Sequence, residues 1–218
     1  QIASQIEVLN KDYSGTNTDI SSVPSAFQLV KAGNTNVRFV LSKVVRKKTT
    51  KTSWTTNDAV KKSTGILPTT PTTSLNIWVC NLSGGILGYA QFPGGSSATD
   101  GVVIDDNAFG TIGSVSAPFN KGRTATHEVG HWLNLRHIWG DATCGSDLVS
   151  DTPLHNTANY GCPTSGHLST CTGKPVEMTM NYMDYTDDAC MYMFSTGQKT
   201  RMLATFASGG GRTTFAQP

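Results

Sequence analysis

His127, Glu128, His131 and His137 are the residues whose types and spacing could do chemistry most directly. His127 and His131 stand four apart, which on a helix sets two imidazoles on one face with Cβ atoms about 5–6 Å apart. Two ring nitrogens can then reach one metal ion. Glu128 follows the first ligand directly and can reach a water on that metal without being a ligand itself. His137 comes six residues after His131, so it joins the same metal only if the helix stops and the chain turns back. Asn134 stands where that turn falls, and after Gly it is Asn that best tolerates the left-handed conformation required there. The plainer alternative, a helix with surface histidines and a capped end, leaves apolar Val129, Trp132, Leu133 and Leu135 around the pattern unexplained. A structural zinc is usually closed by four protein ligands, whereas three histidines leave a position open, as catalytic sites do. The chemistry this set supports is hydrolysis by a zinc-activated water with Glu128 as general base.

A helix over residues 123–134 must carry the paired histidines, and apolar runs elsewhere supply what it packs on. Ile2, Ile6 and Leu9 recur at helical spacing at the start of the chain. Residues 37–42 read as a strand continued by Val44 and Val45. The basic run 46–51 after it reads as a solvated strand or hairpin tip rather than a binding patch. Residues 75–80 form a buried strand, 88–93 a short one whose proline suits a sheet edge, and 101–105 another. Residues 140–179 show little periodicity. Residues 181–185 read as a tight turn, and Ser195-Thr196-Gly197-Gln198 as the capped start of a last helix burying Met202, Leu203 and Phe206.

The chain of 218 residues fits one domain with a sizeable core. Only 15% of its residues are charged, and the abundance of Ser, Thr, Gly and Asn suits an extracellular surface. A net charge of +2 argues for neither nucleic acid nor an anionic membrane as a partner. No apolar run reaches the roughly 18 residues of a membrane span. No signal peptide opens the chain, which for a secreted protein implies a processed form. Cys144, Cys162, Cys171 and Cys190 cluster in the irregular last third and read as two disulfides, with all three pairings open. Their wide spacing argues against a four-thiolate zinc site. Cys80, inside an apolar run, reads as a buried free thiol. His155 and His167 match no ligand spacing and read as surface or loop residues.

The extended histidine pattern resembles the HExxHxxGxxH signature of the metzincins, zinc endopeptidases with a methionine turn below the metal. Asn134 replaces the usual Gly. A closer resemblance is to the pappalysin family, in its microbial, ulilysin-like members. It is carried by residues 75–80, 87–95, 101–105, 127–141 and 181–202, above all by Asn181-Tyr182-Met183-Asp184-Tyr185-Thr186-Asp187-Asp188-Ala189-Cys190-Met191.

The resemblance implies an α+β fold. A twisted mixed sheet with a backing helix and an active-site helix forms an upper lobe over residues 1–137. An irregular, disulfide-linked lower lobe with a C-terminal helix follows over 138–218. It implies a secreted zinc endopeptidase preferring Arg or Lys just after the scissile bond. Met183 would lie under the zinc, Tyr185 would support the tetrahedral intermediate, and Asp188 would line the pocket for the basic residue. The pairings implied are Cys144–Cys171 and Cys162–Cys190. Calcium is implied too, with Asp147, Asp151 and Thr152 as ligands, since calcium takes carboxylate, hydroxyl and carbonyl oxygens. An inhibitory propeptide in the precursor is a further implication. Relatives carry a strand ahead of the helix that opens this chain, so the sequence is expected to be incomplete. A sheet lacking an interior strand would lose two ladders of hydrogen bonds. Peptide substrates would add as a strand to residues 88–92 or 101–105, which the sequence leaves undecided.

Overall fold

A computed structural model describes residues 1–215. Helix α1 (Ile2–Ser14) comes first, then strands β1 (Ile77–Cys80), β2 (Gly88–Ala90) and β3 (Val102–Asp105), and then helices α2 (Arg123–Trp132) and α3 (Thr196–Ala204). In space β3 lies between the other two strands, parallel to β1 and antiparallel to β2, with Val103 opposite both Trp78 and Tyr89. The four residues of β3 are all buried. Side chains alternate across a strand. Val102 and Ile104 accordingly join the main core with α1 and α2, while Val103 packs with Trp54, Val60, Trp78 and Leu82 on the other face.

α1 backs α2. Leu9 and Tyr13 bury completely, the Tyr13 hydroxyl donates to the Thr126 carbonyl at 3.1 Å, and the Thr126 hydroxyl donates to Asp12 at 2.7 Å. Arg123, at the first turn of α2, pairs with Asp12 at 3.1 Å and Asp19 at 3.0 Å. These contacts fix the rotation of α2, every residue of which is buried.

Residues 37–42 form no ladder. Their alternation is real, since Val37 and Phe39 are half-buried while Arg38 and Val40 face outward. A ladder needs a partner strand, and the main tie here is the Asn10 amide, which accepts from the Phe39 N–H and donates to its carbonyl, both at 2.9 Å. The basic stretch beyond is solvated, as expected. Cys80 is half-buried rather than buried, because its place on β1 leaves one side open; burial still pushes its thiol up to about 11.

Between α2 and α3 the described residues contain isolated bridges, such as Asn181 to Met193, but no strand. Cohesion comes from a methionine-rich core (Met178, Met180, Met183, Met191, Met193) and two disulfides, Cys144–Cys171 and Cys162–Cys190. α3 opens with a capping box: the Ser195 hydroxyl accepts from Gln198 N–H, and the Gln198 side chain accepts from Ser195 N–H. Met202 buries completely, whereas Leu203 and Phe206 are half-buried.

Candidate active site

α2 starts where Gly122 takes a left-handed turn (φ 74°) and the Asp188 carboxylate accepts from the N–H groups of Lys121 at 2.7 Å and Arg123 at 3.3 Å. An anion there satisfies donors that a helix start leaves free. The helix stops because Asn134 is left-handed (φ 73°). The Asn134 N–H then bonds the His131 carbonyl and the Leu135 N–H the Gly130 carbonyl, both at 2.9 Å. That pair of bonds is the Schellman arrangement, so Asn does what Gly usually does. Arg201 of α3 donates to the Asn134 carbonyl at 2.7 Å and clamps the turn.

The turn returns His137 to the helix face. One ring nitrogen from each of His127, His131 and His137 lies within 4.8 Å of the others, and the Nε2 atoms of His131 and His137 are 3.0 Å apart. Each opposite nitrogen is engaged. Nδ1 of His127 donates to the Tyr182 carbonyl at 2.6 Å, that of His131 to the Leu135 carbonyl at 2.8 Å, and that of His137 to Asp141 at 2.5 Å. With Nδ1 committed as donor, each Nε2 presents a lone pair. Three lone pairs converging with no donor among them are the donor set of a metal site, and imidazole suits zinc. Burial and the neighbouring rings push His127 well down and His131 down to about 4, so both stay neutral.

Glu128 is buried beside this face, and desolvation pushes its carboxyl up to about 8. The room it occupies depends on Gly88 of β2, where a Cβ would stand 2.8 Å from Glu128 Cγ. Met183 is fully buried beneath the helix, and a Cβ on Gly130 would meet its sulfur at 2.5 Å. The glycine inside the histidine motif is therefore what lets the methionine turn close. Tyr185 is 40% exposed, with its ring 5.7 Å from that of His127 and 4.8 Å from that of His137. Desolvation, then the Glu128 charge, pushes its hydroxyl up to about 12, so it stays a donor.

The remaining candidate residues lie outside the histidine cluster. Asp188 is only 1% exposed and is committed to the α2 start, with burial pushing it up to about 6. The calcium set divides. Asp147 accepts from the Thr152 hydroxyl at 2.9 Å and from Val149 N–H at 3.1 Å, but Asp151 turns to α3, accepting from Ser195 Oγ at 2.6 Å and Gly197 N–H at 2.7 Å. Asp151 thereby supports the start of the last helix, whose N-cap is Ser195. His155, read as a surface or loop residue, lies in a loop but is fully buried; His167 is exposed. Of the two strands left open for substrate, β3 has both edges paired, so β2 is the one with a free edge.

Sequence reasoning missed Trp139, stacked on His137 at 4.4 Å and 7°, and Asp141, which holds the same imidazole. The spacing of four from His137 to Asp141 was the available signal for the second. It also missed Phe92, whose ring lies 5.3 Å from His131 at the end of β2.

Residues 70–207 match the family Peptidase M43, described as pregnancy-associated plasma protein-A, and that span holds the histidine helix, its turn, Met183 and Tyr185. The chain belongs to the pappalysin family. An extracellular metalloprotease of Pyricularia oryzae is 36% identical over 214 residues, 94% of this chain and 66% of its own length. The chain thus spans about two thirds of that relative, and about half of others that it matches (49% of one from Arthroderma benhamiae). Mature mirolysin of Tannerella forsythia, in complex with a cleaved peptide, is similar at TM-score 0.92 and 43% identity, covering 99% of this chain and 87% of that one. A promirolysin variant of the same organism gives the same score and identity over 99% of this chain and 76% of its own. The pappalysin chain shares with mirolysin an α+β, metzincin-like catalytic fold.

Proposed function

We propose that this chain is the catalytic part of a secreted zinc endopeptidase. It would be a single domain whose upper lobe (1–137) and lower lobe (138–218) flank the substrate. The observation that carries the reading is the convergence of three Nε2 lone pairs beside Glu128, under a sheet with an unpaired edge at β2. The relatives' description as extracellular supports secretion, and no described helix is long and apolar enough to cross a membrane.

His127, His131 and His137 would hold zinc, which supplies Lewis acidity towards a carbonyl and lowers the pKa of a water towards about 7. Glu128 takes the proton of the attacking water and passes it to the leaving amine. The Tyr185 hydroxyl donates to the oxyanion of the tetrahedral intermediate. An extended peptide adds to β2, where Gly88 keeps the backbone approach open, and Met183 fixes the floor. That mirolysin is known in complex with a cleaved peptide supports a peptide substrate, and the existence of a promirolysin supports a propeptide in the precursor.

Two finer assignments complete the reading. Asp188, buried next to the α2 start, would favour Arg or Lys just after the cut. Calcium would bind at Asp147 and Thr152 with neighbouring carbonyls, Asp151 being engaged by α3. The test is digestion of a peptide library with and without a zinc chelator, sequencing each new terminus. Chelator-sensitive cuts before Arg or Lys are expected. Chelator-sensitive cuts without that preference would discard the Asp188 assignment alone, and chelator-resistant cuts would discard zinc.

A further inference from the structure

Three buried polar side chains, His155, Glu177 and Asp184, form a network with the half-buried Asn159 outside the reacting set. Glu177 is 2% exposed, and His155 and Asp184 are fully buried. His155 Nε2 accepts from the Met178 N–H at 2.9 Å, so its proton sits on Nδ1. That nitrogen faces Asp184 at 3.4 Å and Glu177 at 3.7 Å. The same pattern leaves His155 no lone pair for a metal. The Asn159 amide bridges the two carboxylates, donating to Glu177 at 2.7 Å and Asp184 Oδ2 at 2.9 Å. Asp184 Oδ1 accepts from the Asn159 N–H at 2.8 Å and from the Tyr185 N–H at 2.9 Å. Two residues on, the Asp187 N–H bonds the Gly161 carbonyl at 2.9 Å.

Tyr185 is thus held at its own backbone by Asp184 and two residues later by the loop that carries Asn159. The same loop presents Tyr160, 72% exposed, with its ring 6.0 Å from that of Tyr185. Burying two carboxylates is costly unless their partners are complete. A network that only filled space would be replaced with little loss by apolar side chains. One that ends on the N–H of a residue beside the metal ligands sets where that residue's ring stands. We propose that Asp184 and Asn159 are positioning residues for Tyr185, fixing its hydroxyl relative to the three histidines; the proposal rests on the reading that Tyr185 takes part in the reaction.

A double-mutant cycle on the zinc-loaded enzyme tests it, with kcat, KM and thermal midpoint measured for Asn159→Ala and Tyr185→Phe, singly and together. Asn159→Ala is expected to lower kcat about tenfold with KM changed less than about twofold, a coupling of the size neighbours in one hydrogen-bond network show. In the Tyr185→Phe background the same change should leave kcat nearly untouched while the thermal midpoint falls as before. An equal loss of kcat in both backgrounds would make the network merely structural and overturn the proposal. A Tyr185→Phe enzyme with unaltered kcat would overturn the role of Tyr185, and this proposal with it. Should Asn159→Ala fail to fold, the near-isosteric Asp184→Asn serves in the same cycle. It keeps one acceptor for Tyr185 N–H but sets an amide against the Asn159 amide.

Discussion

Residues 77–132 are held by two strand ladders and by apolar side chains interlocked between sheet and helices. Residues 138–195 have no strand of their own among the described residues, and their order comes from methionines, buried carboxylates and two disulfides. Each region contributes to one site. The first supplies His127, Glu128 and His131 on a helix buried along its whole length. The second supplies the floor and the side wall, Met183 and Tyr185. Regular structure places ligands through local spacing, whereas irregular structure places them through many specific bonds, each of which can be removed separately.

If that contrast holds, the disulfides matter most below the helix. Replacing Cys162 and Cys190 by Ala, a link across 28 residues, should cost about 2–4 kcal/mol. Limited proteolysis should then cut within residues 138–195 first and leave the sheet intact. First cuts in the sheet would dissolve the distinction between the regions. Gly130→Ala tests where the two meet. Its Cβ would overlap the Met183 sulfur, and overpacking of this kind costs about 1–3 kcal/mol. A fall in zinc affinity together with a lowered thermal midpoint is expected, whereas an unchanged midpoint would mean that helix and methionine turn are not in register. The smallest effect belongs to Asn134. Asn134→Gly should shift stability by no more than about 0.5 kcal/mol, since both residues adopt the left-handed turn, while Asn134→Val should destabilise it and weaken zinc binding through His137. Equal effects of the two would sever His137 from the turn.

The same contrast explains what could be read from the chain. α2, β1 and β3 are legible because their apolar spacing matches their own period, and the capping box of α3 is a local signal. The convergence of the three histidines is legible for that reason too, since even the turn between His131 and His137 depends on one residue, Asn134. Residues 37–42 carry a correct alternation but no ladder, because pairing is a property of two segments and only one is visible in a local pattern. The partners of Asp151, Asp188 and His155 escape a local reading for one reason. Each is a polar residue in an irregular stretch whose partner lies far along the chain: Gly197 for Asp151, Lys121 for Asp188, Met178 for His155. Spacing says nothing about such partners, and burial of a polar side chain follows from them.

The central claim is that three histidines hold zinc while Glu128 moves the proton. The most direct measurement is zinc content by elemental analysis together with peptide cleavage, for the wild-type chain and Glu128→Gln. The account predicts one zinc per chain in both proteins and a fall in kcat of about a thousandfold or more in the variant alone. A Glu128→Gln protein that cleaves at the wild-type rate, or a wild-type protein that cleaves without zinc, would contradict it.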